Sequence, residues 1–237
     1  MAALADLARY PRAWWRLLRR PAEVTLRGVR LEIGSQVTPE IARMIYRERY
    51  ERREAICLQS ILEPDDIFVE IGAGMGFLSA LAARRVPSGR VVAYEANPRM
   101  LPAIRRTWEL NGVAPELVHG VLGDGDGVVA FHVEDEFVSS SLHRRSASAV
   151  AVEVPQLDAA REMARVRPTI VSMDIEGAER ELVPLMPWHG VERLLIDLHP
   201  DVIGRDAVAE VLHSLRAAGF AEHRRLSSTR KKLLVRS

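Results

Sequence analysis

The sequence predicts an α/β fold from residue 63 onward, with a seven-stranded, mostly parallel sheet covered by helices. Three observations carry this. Short β-branched runs alternate with amphipathic stretches of helical spacing from Ile67 to the end of the chain. A glycine-rich turn joins the first run to the first helix, and an acidic residue closes the second run.

Strands are predicted at 67–71, 90–95, 117–121, 169–173, 191–198, 221–226 and 231–235, and helices near 76–85, 98–111, 156–166, 178–185 and 206–218. The stretch 128–154 interrupts that alternation. Val128, Ala130 and His132, then Val150, Val152 and Val154, recur at every second residue, which predicts an inserted β-hairpin with a serine-rich turn at Ser139–Ser141. Residues 1–62 precede the sheet as a separate extension: a helix over 2–19 interrupted near Pro11, a hairpin over 23–33 turning at Arg27-Gly28, and helical spacing over 39–62 broken near 49–53.

Composition excludes several classes. A net charge of +1 on 237 residues is not that of a polyelectrolyte, so no nucleic-acid partner is expected. The lone Cys57 rules out an intramolecular disulfide and a cysteine-rich zinc site, and it suits a reducing, cytoplasmic setting. No run reaches the ~18 apolar residues a membrane span needs. The ends are locally basic, with five arginines against Asp6 in residues 1–20. Trp14, Trp15, Leu17 and Leu18 stand among Arg12, Arg16, Arg19 and Arg20 there. The expected role is packing on the domain or on a second copy of the chain, with peripheral membrane contact as the competing reading.

The turn after the first strand reads Gly72-Ala73-Gly74-Met75-Gly76, with Glu70 two residues before it. Glycine lets the chain turn sharply and lets a ligand approach backbone without a Cβ in the way. A dinucleotide fingerprint would need its third glycine at 77, which is Phe77, and no Gly-Lys-Ser/Thr follows for a phosphate loop. Glu95 closes the second strand nineteen residues after Gly76, where an acid can accept from both hydroxyls of a ribose. Loop and acid together predict a Rossmann-like site for an adenosine-containing ligand that lacks a pyrophosphate. Asp124, in Gly123-Asp124-Gly125-Asp126, is either an acceptor for an adenine amino group or part of an Asp/Gly turn.

Several stretches then line up: Tyr50-Glu51-Arg52-Arg53-Glu54, the run Glu70–Gly76, Tyr94-Glu95-Ala96-Asn97-Pro98, Met173-Asp174-Ile175-Glu176-Gly177-Ala178-Glu179 and Asp197-Leu198-His199-Pro200. Over residues 46–200 the chain resembles the FkbM family of class I methyltransferases, most specifically in the Asp-x-Glu-Gly-Ala-Glu run. It departs from the family at Met173, often lysine, at Ala96, usually proline, and within the glycine loop. The resemblance implies S-adenosylmethionine as cofactor, held by Glu70, Gly72, Gly74, Gly76, Glu95, Ala96, Asn97 and Asp124. It also implies a catalytic domain over 63–237, with 1–62 forming part of the acceptor site.

In open parallel sheets ligands bind beyond the carboxyl ends of the strands, near the switch point. Asp174 and Glu176, two apart in an extended segment, point to one side there, and His199 follows the fifth strand. Methyl transfer to a hydroxyl needs alignment, exclusion of water and a base, or a metal that lowers the hydroxyl pKa. His199 is the expected base, because an unperturbed imidazole titrates near neutrality. Asp174 and Glu176 would orient it, hold the substrate or chelate a divalent cation; the metal-free route is preferred. Capping of the following helix competes for Glu176, and a backbone contact for His199. The expected reaction is methylation of a hydroxyl on a small molecule, natural product or glycan. N-methylation is the alternative enzyme reading, and a non-catalytic scaffold the alternative of another class. Trp108 and Trp188 are expected to be packing residues.

Overall fold

The computed structural model describes residues 11–134 and 149–236. Residues 2–10 of the predicted helix over 2–19, and the Ser139–Ser141 turn, lie outside them. The extension begins with helix α1 (Pro11–Arg19), which packs on α2 (Pro39–Tyr46). Between them β1 (Glu23–Leu26) and β2 (Val29–Glu32) pair antiparallel. Their two-residue turn uses Arg27 and Gly28 at φ 48° and 88°, the left-handed conformation that matches the twist of a tight hairpin. Val24, Leu26, Val29 and Leu31 face inward while their neighbours face solvent, the period-2 pattern made physical. Thr38 caps α2 by accepting from the Ile41 amide, and α3 (Arg52–Ile61) follows after a break at Glu48 and Glu51, both at positive φ.

The remaining chain runs β3 (Phe68–Ile71), α4 (Phe77–Ala83), β4 (Val91–Glu95), α5 (Leu101–Asn111), β5 (Glu116–His119), β6 (Val121–Gly123), β7 (Gly127–Val133), β8 (Val150–Asp158), α6 (Ala159–Val166), β9 (Ile170–Met173), α7 (Glu179–Leu182), β10 (Arg193–Asp197), α8 (Pro200–Ala217), β11 (Phe220–Glu222) and β12 (Lys231–Arg236). Seven of these strands form one sheet in the order β11-β12-β10-β9-β3-β4-β5, in which β12 runs antiparallel to both neighbours and β10 through β5 are parallel. This is the Rossmann-like class I methyltransferase arrangement expected. Every residue of β3, β4 and β9 is buried, because both sheet faces are covered. Alternate residues serve opposite faces. Phe68, Val91 and Ala93 join the hairpin and α2 to α5 in one core, while Val69, Val92 and Tyr94 join α6 and α8 in the other. The N-terminal extension therefore shares a core with one side of the sheet.

Two elements correct the sequence reading. The third predicted strand, 117–121, is broken at Gly120 (φ 144°), where a Cβ would collide with the Pro155 carbonyl. The chain leaves the main sheet there, and β6 enters a small three-stranded sheet of order β6-β8-β7. The helix predicted from 156 starts at Ala159. Gln156, Leu157 and Asp158 are instead strand, paired with Val121, Leu122 and Gly123, and Asp158 then caps α6 by accepting from the Arg161 amide at 2.7 Å. The inserted hairpin is present as β7 and β8.

Gly76, at φ 69°, begins α4 where that helix meets α5. A Cβ there would lie 2.9 Å from both Ile104 Cγ2 and Trp108 Nε1, and the Trp108 indole already donates to the Gly76 carbonyl and to Ser79 Oγ. Gly76→Ala combines a left-handed residue with overpacking, which together cost about 2–4 kcal/mol. Its melting temperature in a thermal scan should fall by several degrees.

Candidate active site

The glycine turn is shaped by its neighbours before any ligand is considered. Gly72, at φ 86°, donates to the Tyr94 carbonyl, and a Cβ on it would overlap the carbonyl oxygen of Asp174. The turns after β3 and β9 thus touch through backbone, and only glycine permits it. Gly74, at φ 56°, directs its N–H to Glu95 Oε2 at 2.8 Å. The other Glu95 oxygen accepts from Asn97 N–H at 2.7 Å. Glu95 is thereby fixed at the end of β4 with its carboxylate on the cavity wall. Burial raises its pKa to about 7 against those amide hydrogen bonds, which oppose the shift.

A cavity of about 860 Å³ opens beyond the carboxyl ends of the strands, on the small sheet's side and under the N-terminal extension. That volume is within the range of small-molecule sites. Gly72, Gly74, Glu95, Ala96, Asp124, Asp174 and Glu176 line it, as do Ile41, Met44, Tyr50 and Glu51 of the extension. Four residues expected in the site stand behind the wall. Gly76 packs on α5 as described. Glu70 is buried and accepts from the Ser79 N–H at 3.1 Å, in the first turn of α4. Asn97 is buried with Oδ1 accepting from the Arg99 N–H, while its Nδ2 has no hydrogen-bond partner among the described residues. His199 is 3% exposed at the start of α8. Asp124 follows β6 rather than a strand of the main sheet, and it accepts from Gln156 Nε2 at 3.2 Å.

At the ends of β9 and β10 the chain concentrates acid. Glu176 takes a left-handed conformation (φ 52°) and Gly177 follows at φ 110°, packed so closely on Val202 that a Cβ would clash. This turn swings Glu176 toward His199, whose Nε2 lies 3.4 Å from Glu176 Oε2 and 3.5 Å from Asp174 Oδ1. The other ring nitrogen, Nδ1, is 2.7 Å from Oε1 of the fully buried Glu179. Burial alone would depress the imidazole. The carboxylates of Glu176, Glu179 and Asp174 outweigh it and raise His199 to about 10. The near-neutral base expected at His199 is therefore corrected: the ring is charged at neutral pH and has no lone pair to take a proton. Burial, with Asp197 and Glu176 close by, pushes Asp174 well above the usual carboxylate range.

The sequence reading assigned no role to Glu51, Glu179, Asp197 or Lys231. Burial and the nearby Glu70 raise Glu51 to about 8, and its Oε2 is buried without a hydrogen-bond partner among the described residues. Asp197 is buried at the end of β10 with Lys231 Nζ 2.7 Å from Oδ2, and Lys231 also pairs with Glu54. The register of β12 against β10 sets Lys231 opposite Asp197, a long-range pairing with no local signal.

Residues 66–224 match the family described as "Methyltransferase FkbM domain". The chain belongs to the FkbM methyltransferase family. It is an S-adenosylmethionine-dependent methyltransferase, and the glycine turn and acidic wall are the features through which such a cofactor could be held. Curated proteins offer no match. Among solved structures, the FkbM chain is similar in fold to the Pyrococcus abyssi tRNA (uracil-54, C5)-methyltransferase in complex with S-adenosyl-L-homocysteine, with 13% identity, 91% of this chain and 44% of that chain covered, and a TM-score of 0.50. A Pyrococcus furiosus methyltransferase is 12% identical over 97% of each chain with a TM-score of 0.49. The precorrin-6y C5,15-methyltransferase of Geobacter metallireducens GS-15 is 14% identical over 81% of this chain and 78% of that one, with a TM-score of 0.47.

Glu70 yields a test of the wall. Burial raises its pKa from the ordinary 4.5 to about 8, so the folded state favours its protonated form. Its contribution to stability is complete below about 4.5 and is lost as pH rises through about 8. Glu70→Gln keeps an acceptor for the Ser79 amide without the charge. The melting temperature of the variant relative to wild type should climb from pH 5 and level off above about pH 8. A constant difference would show that Glu70 is already ionised in the folded protein at pH 5, its pKa not raised by burial.

Proposed function

We propose that this FkbM methyltransferase methylates a hydroxyl of a small molecule or glycan, with Glu51 as the general base. The observation that carries the reading is the buried Glu51 oxygen, unpartnered among the described residues, on a residue that lines the same cavity as the glycine turn. A hydroxyl entering from the extension side meets an acceptor for its proton, held with a pKa of about 8. Ile41, Met44 and Tyr50 beside it supply apolar surface that excludes water, which supports 1–62 as the acceptor side of the site.

The cofactor assignment rests on fit. Glu95 presents a carboxylate suited to paired ribose hydroxyls, Gly72 and Gly74 offer backbone without side chains, and Asp124 stands across the cavity where an exocyclic amine could donate to it. Glu51, Glu95, Asp174, Glu176 and Asp197 all line the wall, and a ligand bearing a sulfonium and an ammonium group would favour their ionised forms. When bound, S-adenosylmethionine supplies a methyl carbon whose bond to sulfur breaks as the bond to the acceptor oxygen forms, leaving a neutral thioether. The residues of the chain orient the acceptor, take its proton and keep water out.

Glu95→Ala removes a charged acceptor, a loss of about 1.5–3 kcal/mol. Affinity for S-adenosylhomocysteine, measured by isothermal titration, should fall tenfold or more. In the wild type the affinity should decline as pH drops through about 7, because the ribose contact needs the ionised carboxylate.

Glu51→Gln should lower kcat with a hydroxyl acceptor by about 10²–10⁴-fold while KM changes little. The wild-type rise of kcat with pH, centred near 8, should disappear in the variant. An acceptor amine methylated equally by both proteins would replace the hydroxyl reading with N-methylation.

A further inference from the structure

Beside the cofactor crevice, one donor atom each from Asp174, Asp197 and His199 lie within 4.8 Å of one another. From this juxtaposition we propose that the chain binds a divalent metal cation through Asp174, Asp197 and Nε2 of His199. The site rests on the proposed hydroxyl methylation only for its purpose, not for its geometry.

Three different elements deliver the donors: the ends of β9 and β10, and the first residue before α8. Opposed ligands on an ion with bonds of about 2.1–2.4 Å are separated by about 4.2–4.8 Å, and adjacent ones by about 3.0–3.4 Å. The 3.5 Å between His199 Nε2 and Asp174 Oδ1 falls close to the adjacent spacing. A charged hydrogen bond would draw the pair to about 2.7–2.9 Å. Nε2 also faces Glu176 Oε2 at 3.4 Å, while on the other side of the ring Nδ1 is held by Glu179 at 2.7 Å. A carboxylate behind a histidine is the arrangement that fixes ring orientation and tautomer in metal sites, leaving Nε2 to the ion.

An independent observation points to a ligand. Asp197 is 7% exposed and lines the cavity, yet among the described residues its Oδ1 accepts no hydrogen bond, and Asp174 Oδ1 is also buried without one. Buried carboxylate oxygens ordinarily have partners. Two basic groups compete for Asp197: Lys231 holds Oδ2, and Arg230 Nε stands 3.6 Å from Oδ1 on a side chain that is 44% accessible. Lys231 is shared with Glu54, and the Arg230 guanidinium is shared with the Leu198 carbonyl at 3.2 Å and Asp201 at 3.9 Å. A cation at Nε2 replaces the proton carried there, so binding and protonation are mutually exclusive. The donor set of two carboxylates and one imidazole accommodates Mn²⁺ well.

The test uses the full chain, stripped with a chelator and titrated with Mn²⁺ while the free-ion electron paramagnetic resonance signal is followed. One Mn²⁺ per chain is expected. Asp197→Asn and His199→Gln should each weaken it by tenfold or more, and Glu179→Gln by about tenfold through loss of the ring's support. Arg230→Ala should tighten it, since a competing cation is gone. Circular dichroism establishes that each variant is folded. S-adenosylhomocysteine titration of the same preparations reports on the cofactor reading separately: a chain that binds Mn²⁺ but not S-adenosylhomocysteine leaves the cation site standing and sinks the methylation reading. A folded wild type that takes up no Mn²⁺, or uptake unchanged in both Asp197→Asn and Glu179→Gln, overturns the proposal.

Discussion

β3 and β9 are hydrogen-bonded neighbours, but the chain leaves β3 for β4 on one side and reaches β9 only after traversing the far edge and the small sheet. The crevice opens where those paths diverge. Its floor is set by a contact that allows no side chain, Gly72 against the Asp174 carbonyl. Bringing the two turns together places the glycine loop and the acidic Asp174–Glu179 segment on opposite lips of one cavity. Everything chemical in the site depends on that approach. Glu95 is held by Gly74, within the first turn, and Glu176 is thrown toward His199 by the left-handed residues of the second.

The extension is coupled to the same constraint. Tyr50 is buried against the Phe77 ring, 6.0 Å between centroids, and receives a hydrogen bond from the Met75 backbone within the glycine loop. Its neighbour Glu51 then reaches the cavity beside Asp174 and Lys231. A segment that makes up the front of the chain therefore depends on the first turn of the sheet for its placement. Its shared core with α4 and α5 follows from the same contact.

Much of this was legible in the sequence because the signals are local. The hairpin turn at Arg27-Gly28, the alternation of β-branched runs and helices, and the glycine turn followed by Glu95 each act over a few residues. What escaped was long-range. Gln156-Leu157-Asp158 reads locally as the start of a helix, but pairing with Val121-Leu122-Gly123 holds it as strand, and the Asp158 cap was the overlooked sign of the true start. Within the site, Glu95, Asp174 and Glu176 stood out by position after strands. Glu179 closes the Asp-x-Glu-Gly-Ala-Glu run without a local sign of its role, and only the fold sets it behind His199. The altered ionisation of His199 could not be read at all, since it comes from carboxylates gathered across the turn and from burial.

The sign of the charge in this cavity shapes what chemistry it can support. Acidic walls favour a cationic cofactor, but the transfer dissipates that positive charge, so the walls hold the ground state at least as well as the transition state. They also oppose an alkoxide on the acceptor, which would face Glu51, Asp174, Glu176 and Asp197 in a space of reduced dielectric. The chain's own counter-charges are poorly placed to relieve this: His199 is behind the wall, and Lys231 is shared between Asp197 and Glu54. A base that removes the proton late, as the oxygen attacks, avoids forming the free alkoxide, which is the role argued for Glu51. A divalent cation between Asp174, Asp197 and His199 would act on the same difficulty from the other side, reversing the local field where the acceptor oxygen becomes negative. The two proposals are thus separate answers to one electrostatic problem, created by gathering acids at the carboxyl end of a parallel sheet.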